Sequence, residues 1–438
     1  MQVRDCRCRK AFAALAETVS RTAAGWIAVC CFAATAALGE VVQTGAAVSV
    51  TSVTCTRHSP WDGKVDVDYE LTADDPSQDI WVYPIGYDAS GERTVPLLRN
   101  SGDGAEAPVR PGKHRLTCDV DAAAPGLSST AFTVRIFALV GGAPYLVVDL
   151  SGGENATNYP VSYLSAVPQG GWTDEYKTTK LVLRLIPPGT YRMGSPTNEL
   201  GRWAGEVQHS VTLTEPFYIG VFEMTQKQWK LVMGPSSNFS RYAGDTRPVE
   251  HVSYRKIRGM TYGIGWPLFD QVDEDSFLGR MRRRAWLPFD LPTEAQWEYA
   301  CRAGTTTALP NGKELTDETS SPAVDEIAHY LANKNDGKGG YTGSHTAVGQ
   351  YAPNNWGLYD VVGNVYEWCR DRKVSALGSE AAVDPKGTDA NTTDRVIRSS
   401  FARDDPAYKM RSAFRSGCPY DGEVDYLGFR LSMTVHAR

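Results

Sequence analysis

Apolar and charged residues alternate along the first third of the chain. In residues 64–71 each charged residue is followed by an apolar one, and this period of two indicates a strand with one buried face. Residues 80–83 and 132–137 indicate further strands, separated by sequence rich in turn-forming residues. The spacing predicts a small all-β, immunoglobulin-like sandwich over residues 46–150.

The alternation stops over residues 151–178. Glycine and proline recur there and no period is visible, so this stretch is predicted to be a linker. An apolar strand at residues 181–186 follows and ends at Pro187. A second domain is therefore predicted over residues 179–438.

Two short helices are predicted in this second domain. Thr225 and Gln228 form a capping box, in which the threonine side chain binds the backbone N–H three residues on and the glutamine side chain binds back. Thr293 and Gln296 repeat the pattern, and Gly304 is predicted to end the second helix. Long aromatic-rich loops follow, and a segment of this kind must be held by side-chain packing or by bound ions.

The first 39 residues differ from the rest. Four basic residues up to Lys10 precede an apolar run over residues 23–38, a pattern that predicts a secretory signal peptide. An uncleaved N-terminal anchor, which would tether the protein to a membrane, and a lipoprotein are the alternatives. We therefore expect an exported protein, located in the periplasm, at the cell surface or in the medium.

Composition limits the class of function. Apolar residues make up 42% and charged residues 22%, which is typical of globular domains, and the net charge of −6 gives no footprint for nucleic-acid binding. The one basic cluster, Arg280 to Arg284, is typical of a solvated helix face. Export permits disulfides, and Cys55 and Cys118 are the candidate pair.

A series of motifs in residues 180–435 resembles the formylglycine-generating enzyme and sulfatase-modifying factor family. The motifs occur in the family's order, and the most specific ones are Leu291-Pro292-Thr293-Glu294-Ala295-Gln296-Trp297-Glu298-Tyr299-Ala300, Asn355-Trp356-Gly357-Leu358-Tyr359-Asp360, Gly363-Asn364-Val365-Tyr366-Glu367-Trp368 and Gly428-Phe429-Arg430. The resemblance implies the family's irregular α+β domain, which is related to C-type lectins.

The resemblance also implies a calcium site. The matching positions are Asp360 and Glu367, which would supply carboxylates, and Gly363 and Val365, which would supply backbone carbonyls.

Members that generate formylglycine use two cysteines that bind copper, and this chain departs from that pattern. The matching positions hold Arg403 and Tyr408, and the sequence has no cysteine between Cys369 and Cys418. Thiolates are the ligands that Cu(I) prefers, so copper-dependent formylglycine formation is not predicted. The family's active-site region corresponds here to Ser400, Arg403 and Tyr408, and the polar residues proposed to bind a ligand are Arg398, Arg403, Asp404 and Asp405.

We therefore predict a calcium-stabilised binding module whose ligand is a protein or a glycan. The alternative is an oxidoreductase of the formylglycine-generating or non-haem-iron type with different metal ligands, assembled from histidines distant in sequence. In a third interpretation the N-terminal sandwich carries the function by docking to a partner.

Overall fold

Two sheets form the N-terminal part of the computed structural model, which describes residues 42–43, 48–87, 94–123, 133–333 and 344–435. The first sheet has the strand order β1-β2-β3-β7-β6 and the second the order β5-β4-β8. The strands are β1 Val42–Gln43, β2 Val48–Arg57, β3 Lys64–Ala73, β4 Ile80–Tyr87, β5 Thr94–Pro96, β6 Asn100–Gly102, β7 Gly112–Asp119 and β8 Thr133–Val140, and helix α1 is Val120–Ala123.

The alternation in β3 places its four apolar side chains in the core between these sheets. Strand β4 is buried at every position, because its two faces pack against different neighbours. One face, with Ile80 and Val82, contacts the core of the sandwich. The other face, with Trp81 and Tyr83, contacts the C-terminal domain.

Cys55 and Cys118 are not bonded to each other, which corrects the disulfide prediction. Cys55 lies in β2 opposite Val67 and Cys118 lies in β7 opposite Val65. The two strands pair with opposite edges of β3, so the cysteines are separated by about twice the ~4.8 Å strand spacing. A disulfide requires Cα atoms within about 7 Å.

A five-stranded antiparallel sheet, in the order β10-β9-β11-β14-β20, forms the base of the C-terminal domain. Its strands are β9 Tyr145–Asp149, β10 Val161–Leu164, β11 Lys180–Ile186, β14 Phe217–Gly220 and β20 Ser432–Thr434. This corrects both predicted boundaries, because β9 was assigned to the sandwich and β10 to the linker. The hairpin β9–β10 pairs through β9 with β11, so the C-terminal domain begins near Tyr145.

Among the described residues of the domain, two smaller sheets and five helices complete it. The sheets are β12-β13-β16 and β18-β17-β15-β19, with strands β12 Gly189–Met193, β13 His209–Leu213, β15 Tyr366–Arg372, β16 Ala382–Val383, β17 Asp394–Arg398, β18 Ser416–Pro419 and β19 Leu427–Gly428. The helices are α2 Gln226–Met233, α3 Tyr254–Arg258, α4 Phe277–Ala285, α5 Glu294–Arg302 and α6 Pro322–Asp325. Short 3₁₀ turns span Asp174–Lys177, Pro235–Ser237, Gly263–Gly265, Leu331–Asn333 and Ala407–Met410. These mixed sheets and few helices confirm the predicted α+β class.

Both predicted capping boxes are present. Thr225 and Thr293 are the N-caps of α2 and α5, and each binds the backbone N–H of the glutamine three residues later. The left-handed residue that ends α5 is Ala303, one position before the predicted Gly304. The interpretation of Arg280 to Arg284 as a solvated face is wrong for Arg284, which is buried and donates to the Tyr159 hydroxyl.

Residues 1–39, the predicted signal peptide or anchor, lie outside the described residues. Within the part of the chain that the structure describes, no helix has both the length and the apolar character needed to cross a bilayer.

The sandwich and the C-terminal domain share one hydrophobic core. Phe137 and Leu139 of β8 belong to the same cluster as Leu146 and Leu183 of the C-terminal sheet. The Tyr218 hydroxyl adds a 2.7 Å hydrogen bond to the backbone carbonyl of Ala143, which lies between the two parts. The sandwich is therefore packed against the second domain through a common hydrophobic core.

Truncation of this shared core should destabilise both parts together. We expect Phe137→Ala to lower the free energy of unfolding by about 3–5 kcal/mol, because it leaves a cavity between the domains. The whole chain should still unfold in one transition, followed by circular dichroism and tryptophan fluorescence in urea. Val140→Ala, at a 38% exposed position of the same strand, is the matched control and should change the stability by less than about 1 kcal/mol. Two separate transitions in the unmutated chain would contradict the shared core.

Candidate functional site

Arg398, the last residue of β17, is fully buried. Its guanidinium pairs with the Glu298 carboxylate and donates to the backbone carbonyls of Ala413 (3.0 Å) and Phe414 (2.7 Å). The prediction that Arg398 binds a ligand is therefore wrong. With these partners the Arg398 side chain holds residues 413–414 in place, and it is closed to solvent.

Ser400 and Asp405 are also buried, inside the turn that follows β17. The Ser400 hydroxyl accepts from the Gly363 N–H (3.2 Å) and lies 2.7 Å from the Met410 sulfur. The Asp405 carboxylate accepts from the Phe401 N–H (2.7 Å). The prediction that Asp405 binds a ligand is also wrong, because its buried carboxylate is already bound to the backbone of the turn.

Arg403 and Asp404 lie at the outside of this turn. The Arg403 guanidinium donates to the carboxylates of Asp404 (2.8 Å) and Asp425 (3.1 Å) and to the Tyr242 hydroxyl (3.2 Å). Arg241 pairs with the same Asp425 carboxylate, and the Asp404 side chain is 62% exposed. We call these five residues, Arg241, Tyr242, Arg403, Asp404 and Asp425, the Arg403 surface.

Aromatic residues surround Tyr408 on the same turn. Its ring lies 6.4 Å from the Phe414 ring, which in turn contacts the half-exposed Trp203 edge-to-face at 5.3 Å. The backbone at Gly201 lies close to Tyr408, and glycine is needed there because a Cβ atom would lie only 2.4 Å from the Tyr408 Cβ. The turn thus carries paired charges at Arg403, and Phe414 connects Tyr408 of the turn to the exposed indole of Trp203; both kinds of group are found in ligand-binding surfaces.

A carboxylate and two histidines, which the sequence analysis did not single out as a group, lie next to Tyr242. Glu250 is fully buried and accepts from the Tyr242 N–H (3.1 Å), while the Nδ1 of His251 lies 2.8 Å from its other oxygen. The Nε2 of His345 lies 3.5 Å from Glu250, longer than an ordinary hydrogen bond. Burial lowers the pKa of His345, which favours a neutral imidazole.

The only sequence signal for this group is the adjacent pair Glu250-His251 in the motif of residues 247–254. Nothing in the sequence connects His345 to that pair, since it lies 94 positions after His251. Across the described ranges, no three His, Cys, Asp or Glu side chains are arranged to hold a metal ion. The arrangement positions Tyr242 within the Arg403 surface, with the His345 and Tyr242 rings edge-to-face at 5.4 Å.

Three of the four predicted calcium ligands lie on the loop before β15 and Glu367 is the second residue of that strand, where it has other partners. Its carboxylate takes two N–H groups from Arg430 (2.7 and 2.6 Å) and one from the indole of Trp297 (2.8 Å). The Gly363 carbonyl accepts from the Ser399 hydroxyl (3.0 Å). Glu367 is therefore a partner of Arg430, and it does not fit the role of a free calcium carboxylate.

Asp360 lies in the left-handed region (φ 53°) and accepts from the Gly349 N–H (2.6 Å). Burial raises the pKa of Asp360 to about 6. Burial, together with the charges of Asp360 and Glu367, also raises the pKa of Glu223, whose carboxylate binds the Asn364 side chain (2.6 Å). Three buried carboxylates thus lie around one buried guanidinium, that of Arg430, and their mutual repulsion contributes to the raised pKa values of Asp360 and Glu223. Calcium binding at this loop stays a prediction, with Asp360 as its carboxylate.

The cysteines of the C-terminal domain are all buried thiols. Burial raises the pKa of Cys301 to about 12 and that of Cys418 to about 11, and it places the pKa of Cys369 well above the ordinary thiol value. The reactive and metal-binding form of cysteine is the thiolate. Burial therefore favours the protonated thiol at all three positions.

A family profile described as "Sulfatase-modifying factor enzyme 1-like domain" matches residues 173–435, more than half of the chain. The chain belongs to the sulfatase-modifying factor family. The mouse formylglycine-generating enzyme is 36% identical over 288 residues, which cover 58% of this chain and 75% of the mouse protein. The resemblance inferred from the motifs is confirmed.

Two further similarities of this sulfatase-modifying factor protein extend over almost the full length of the other protein. The bovine protein named "Inactive C-alpha-formylglycine-generating enzyme 2" is 25% identical over 309 residues, 62% of this chain and 95% of the bovine one. Among solved structures, PvdO from Pseudomonas aeruginosa aligns with a TM-score of 0.48 and 22% identity, over 58% of this chain and 94% of PvdO.

Two arginines that were both predicted to bind a ligand should respond differently to truncation. We expect Arg398→Ala to cost about 3–5 kcal/mol of stability, because it leaves the buried Glu298 carboxylate unpaired. Arg403→Ala removes a partly exposed pair and should cost at most about 1 kcal/mol. Urea denaturation followed by circular dichroism measures both values. Equal losses in the two variants would contradict the assignment of Arg398 to the core.

Proposed function

We propose that this chain is an exported, ligand-binding member of the sulfatase-modifying factor family that does not generate formylglycine through copper. The observation that carries the proposal is the occupancy of the family's two copper positions by Arg403 and Tyr408. A guanidinium is always protonated and has no lone pair for a metal. The remaining thiols of the domain are buried, with raised pKa values.

The names of two relatives indicate a split within the family. One is a formylglycine-generating enzyme and another carries the word inactive in its name. A chain that keeps the fold while lacking the thiol pair fits the second group.

The proposed ligand is a protein or a glycan that contacts the Arg403 surface and Trp203. Arg403 offers a partly exposed guanidinium for carboxylate or hydroxyl oxygens, and Trp203 offers a flat apolar face. Other contacts hold both side chains in position. The Asp405 carboxylate closes the turn that carries Arg403, and Phe414 packs against Trp203. A surface held in this way loses little conformational entropy when it binds.

The alternative function is an oxidoreductase with other metal ligands. Glu250, His251 and His345 contain the residue types of a two-histidine, one-carboxylate iron site. Their geometry does not favour a metal site, because each imidazole directs a ring nitrogen at a different oxygen of Glu250. Metal ligands would direct these atoms at a common point.

A turnover assay separates these functions. The full chain is incubated with Cu(I), oxygen and a peptide that carries a sulfatase-type cysteine motif, and mass spectrometry follows the loss of the thiol. We expect no conversion and no copper retained after gel filtration, because the two ligand positions cannot supply thiolates. Conversion, or stoichiometric iron in the purified protein together with oxygen consumption, would contradict the proposal.

A binding assay on the same protein tests the positive part of the proposal. Glycan and protein arrays are probed with the full chain, and Arg403→Ala should weaken any selected interaction by at least about tenfold, as expected for loss of a charged hydrogen-bonding group. Arg283→Ala, at an exposed position of α4, is the matched control and should bind like the unmutated chain. Equal loss in both variants would show that the Arg403 surface is not the ligand site.

We also propose that calcium stabilises the loop that carries Asp360, since the buried carboxylates outnumber the guanidinium there. After chelation, added calcium should raise the melting temperature, by the equivalent of about 2.7 kcal/mol at a concentration 100 times the Kd. Asp360→Asn should abolish this shift because it removes the available carboxylate. Asp404→Asn, at an exposed aspartate, should retain the shift. A melting temperature independent of calcium would contradict the proposal.

A further inference from the structure

A cavity of about 230 Å³ lies at the junction of the sandwich and the C-terminal domain, and no residue of the Arg403 surface lines it. The sandwich contributes β4, the segment around β6 and the turn after β6, and the C-terminal domain contributes β9, β11 and residues 165–167. Ligand sites are frequent at such junctions, and drug-sized ligands occupy about 300–1,000 Å³. The size of this cavity therefore suits a smaller molecule.

Two side chains of opposite charge line the cavity, Arg184 from β11 and Glu106 from the turn after β6. Among the described residues that line it, no other carries a charge. Glu106 is exposed and Arg184 is partly exposed, so a ligand can reach both.

Neither charged side chain has a counter-charge on the protein. Within the described ranges, Arg184 and Glu106 form no ion pair with each other or with another residue. Arg184 differs in this respect from the enclosed Arg398 and Arg430, each of which pairs with a glutamate. A ligand that carries both a negative and a positive charge would complete two pairs at once.

The Tyr145 ring positions the Arg184 guanidinium. The two residues are directly opposite each other in the pairing of β9 with β11, and the guanidinium carbon lies 4.6 Å from the Tyr145 ring centroid. Tyr145 itself lines the cavity. A guanidinium stacked on an aromatic ring keeps its in-plane N–H donors for a carboxylate.

The turn that carries Glu106 is fixed on both sides of this residue. Before it, Gly104 has a φ of 86° and packs against the Val82 side chain, with which a Cβ atom at Gly104 would collide. After it, Val109 exchanges two backbone hydrogen bonds of 2.9 Å with Ile80 of β4. A carboxylate on a fixed turn loses little backbone freedom when it binds a cation.

Apolar and aromatic side chains form much of the remaining wall. Trp81 and Tyr83 of β4 are 8% and 4% exposed, and Leu98 and Val167 also line the cavity. The Tyr83 hydroxyl donates to the Gly142 carbonyl, so this tyrosine offers its ring to a ligand. Such walls favour an apolar or aromatic ligand body.

We propose that this cavity binds a small zwitterion with an apolar body, a free amino acid or a dipeptide. Its carboxylate pairs with Arg184 and its ammonium group pairs with Glu106. Each domain supplies one of the two charges, so the site exists only when the domains are packed together. The shared hydrophobic core serves this site, because relative motion of the domains would separate the charges.

Calorimetric titration of the full chain with phenylalanine and with glycyl-phenylalanine tests the proposal. We expect saturable one-to-one binding of at least one of them, and the tighter ligand gives the charge separation that the site accepts. The N-acetylated and C-amidated forms of that ligand each lack one charge and should bind at least about tenfold more weakly. Absence of saturable binding of both ligands, or undiminished binding of either blocked form, would overturn the proposal.

Variants locate the site. Glu106→Gln should weaken zwitterion binding at least about fivefold and leave the affinity for the N-acetylated form unchanged, because that form has no ammonium group to lose a partner. Arg184→Gln should weaken zwitterion binding at least about tenfold. Glu380→Gln and Arg192→Gln, at exposed positions outside this cavity, are the matched controls and should bind like the unmutated chain. Unchanged affinity in a folded Arg184→Gln variant, or in the surface variant Glu106→Gln, would overturn the site.

Discussion

Loop-rich domains leave many backbone carbonyls without a partner in a strand or helix, and this domain satisfies them with buried arginines. Arg398 and Arg430 are each fully enclosed, pair with a buried glutamate and also donate to carbonyls of loops distant in sequence. Arg411 and Arg415 repeat the arrangement with Glu206 and Glu294. An ion pair of this kind contributes little net stability by itself, but removal of one partner is costly because the other remains buried and charged.

These pairs decide which side chains are available for function. The turn after β17 is held at one end by Arg398 and at the other by Arg411, whose guanidinium also binds the Gly201 carbonyl (2.7 Å). With both ends fixed and Asp405 closing the turn from within, Arg403 is left at the outer edge. A similar arrangement occurs at Asp290, where three arginines share one carboxylate and the Nε of one of them, Arg370, has no acceptor.

The N-terminal sandwich extends this construction by apolar contact. The outer face of β4 and β8 completes the core under the C-terminal sheet, and β9 links the two parts as a strand of that sheet. One interpretation of the sequence placed the function in the sandwich alone. In the structure, however, the sandwich shares its core with the second domain.

The sequence by itself determined the local features. The capping boxes at Thr225 and Thr293, the alternation in β3 and the absence of cysteine between Cys369 and Cys418 are readable because each depends on residues close together in the chain. The ordered motifs identified the family for the same reason. β9 was misassigned because a strand buried on both faces, such as residues 146–148, shows no alternation that would indicate its sheet.

Only the tertiary structure decided which charged groups are exposed and which are paired. Arg398 and Arg403 are the same residue type five positions apart, yet one is fully enclosed by Glu298 and distant carbonyls while the other reaches solvent. Three further features depend on the tertiary structure in the same way. They are the pairing of Glu367 with Arg430, the group formed by Glu250 and His345, and the Trp266 N–H without an acceptor. Burial and pairing are properties of contacts between segments far apart in the chain, and a local pattern contains no information about which segments will meet.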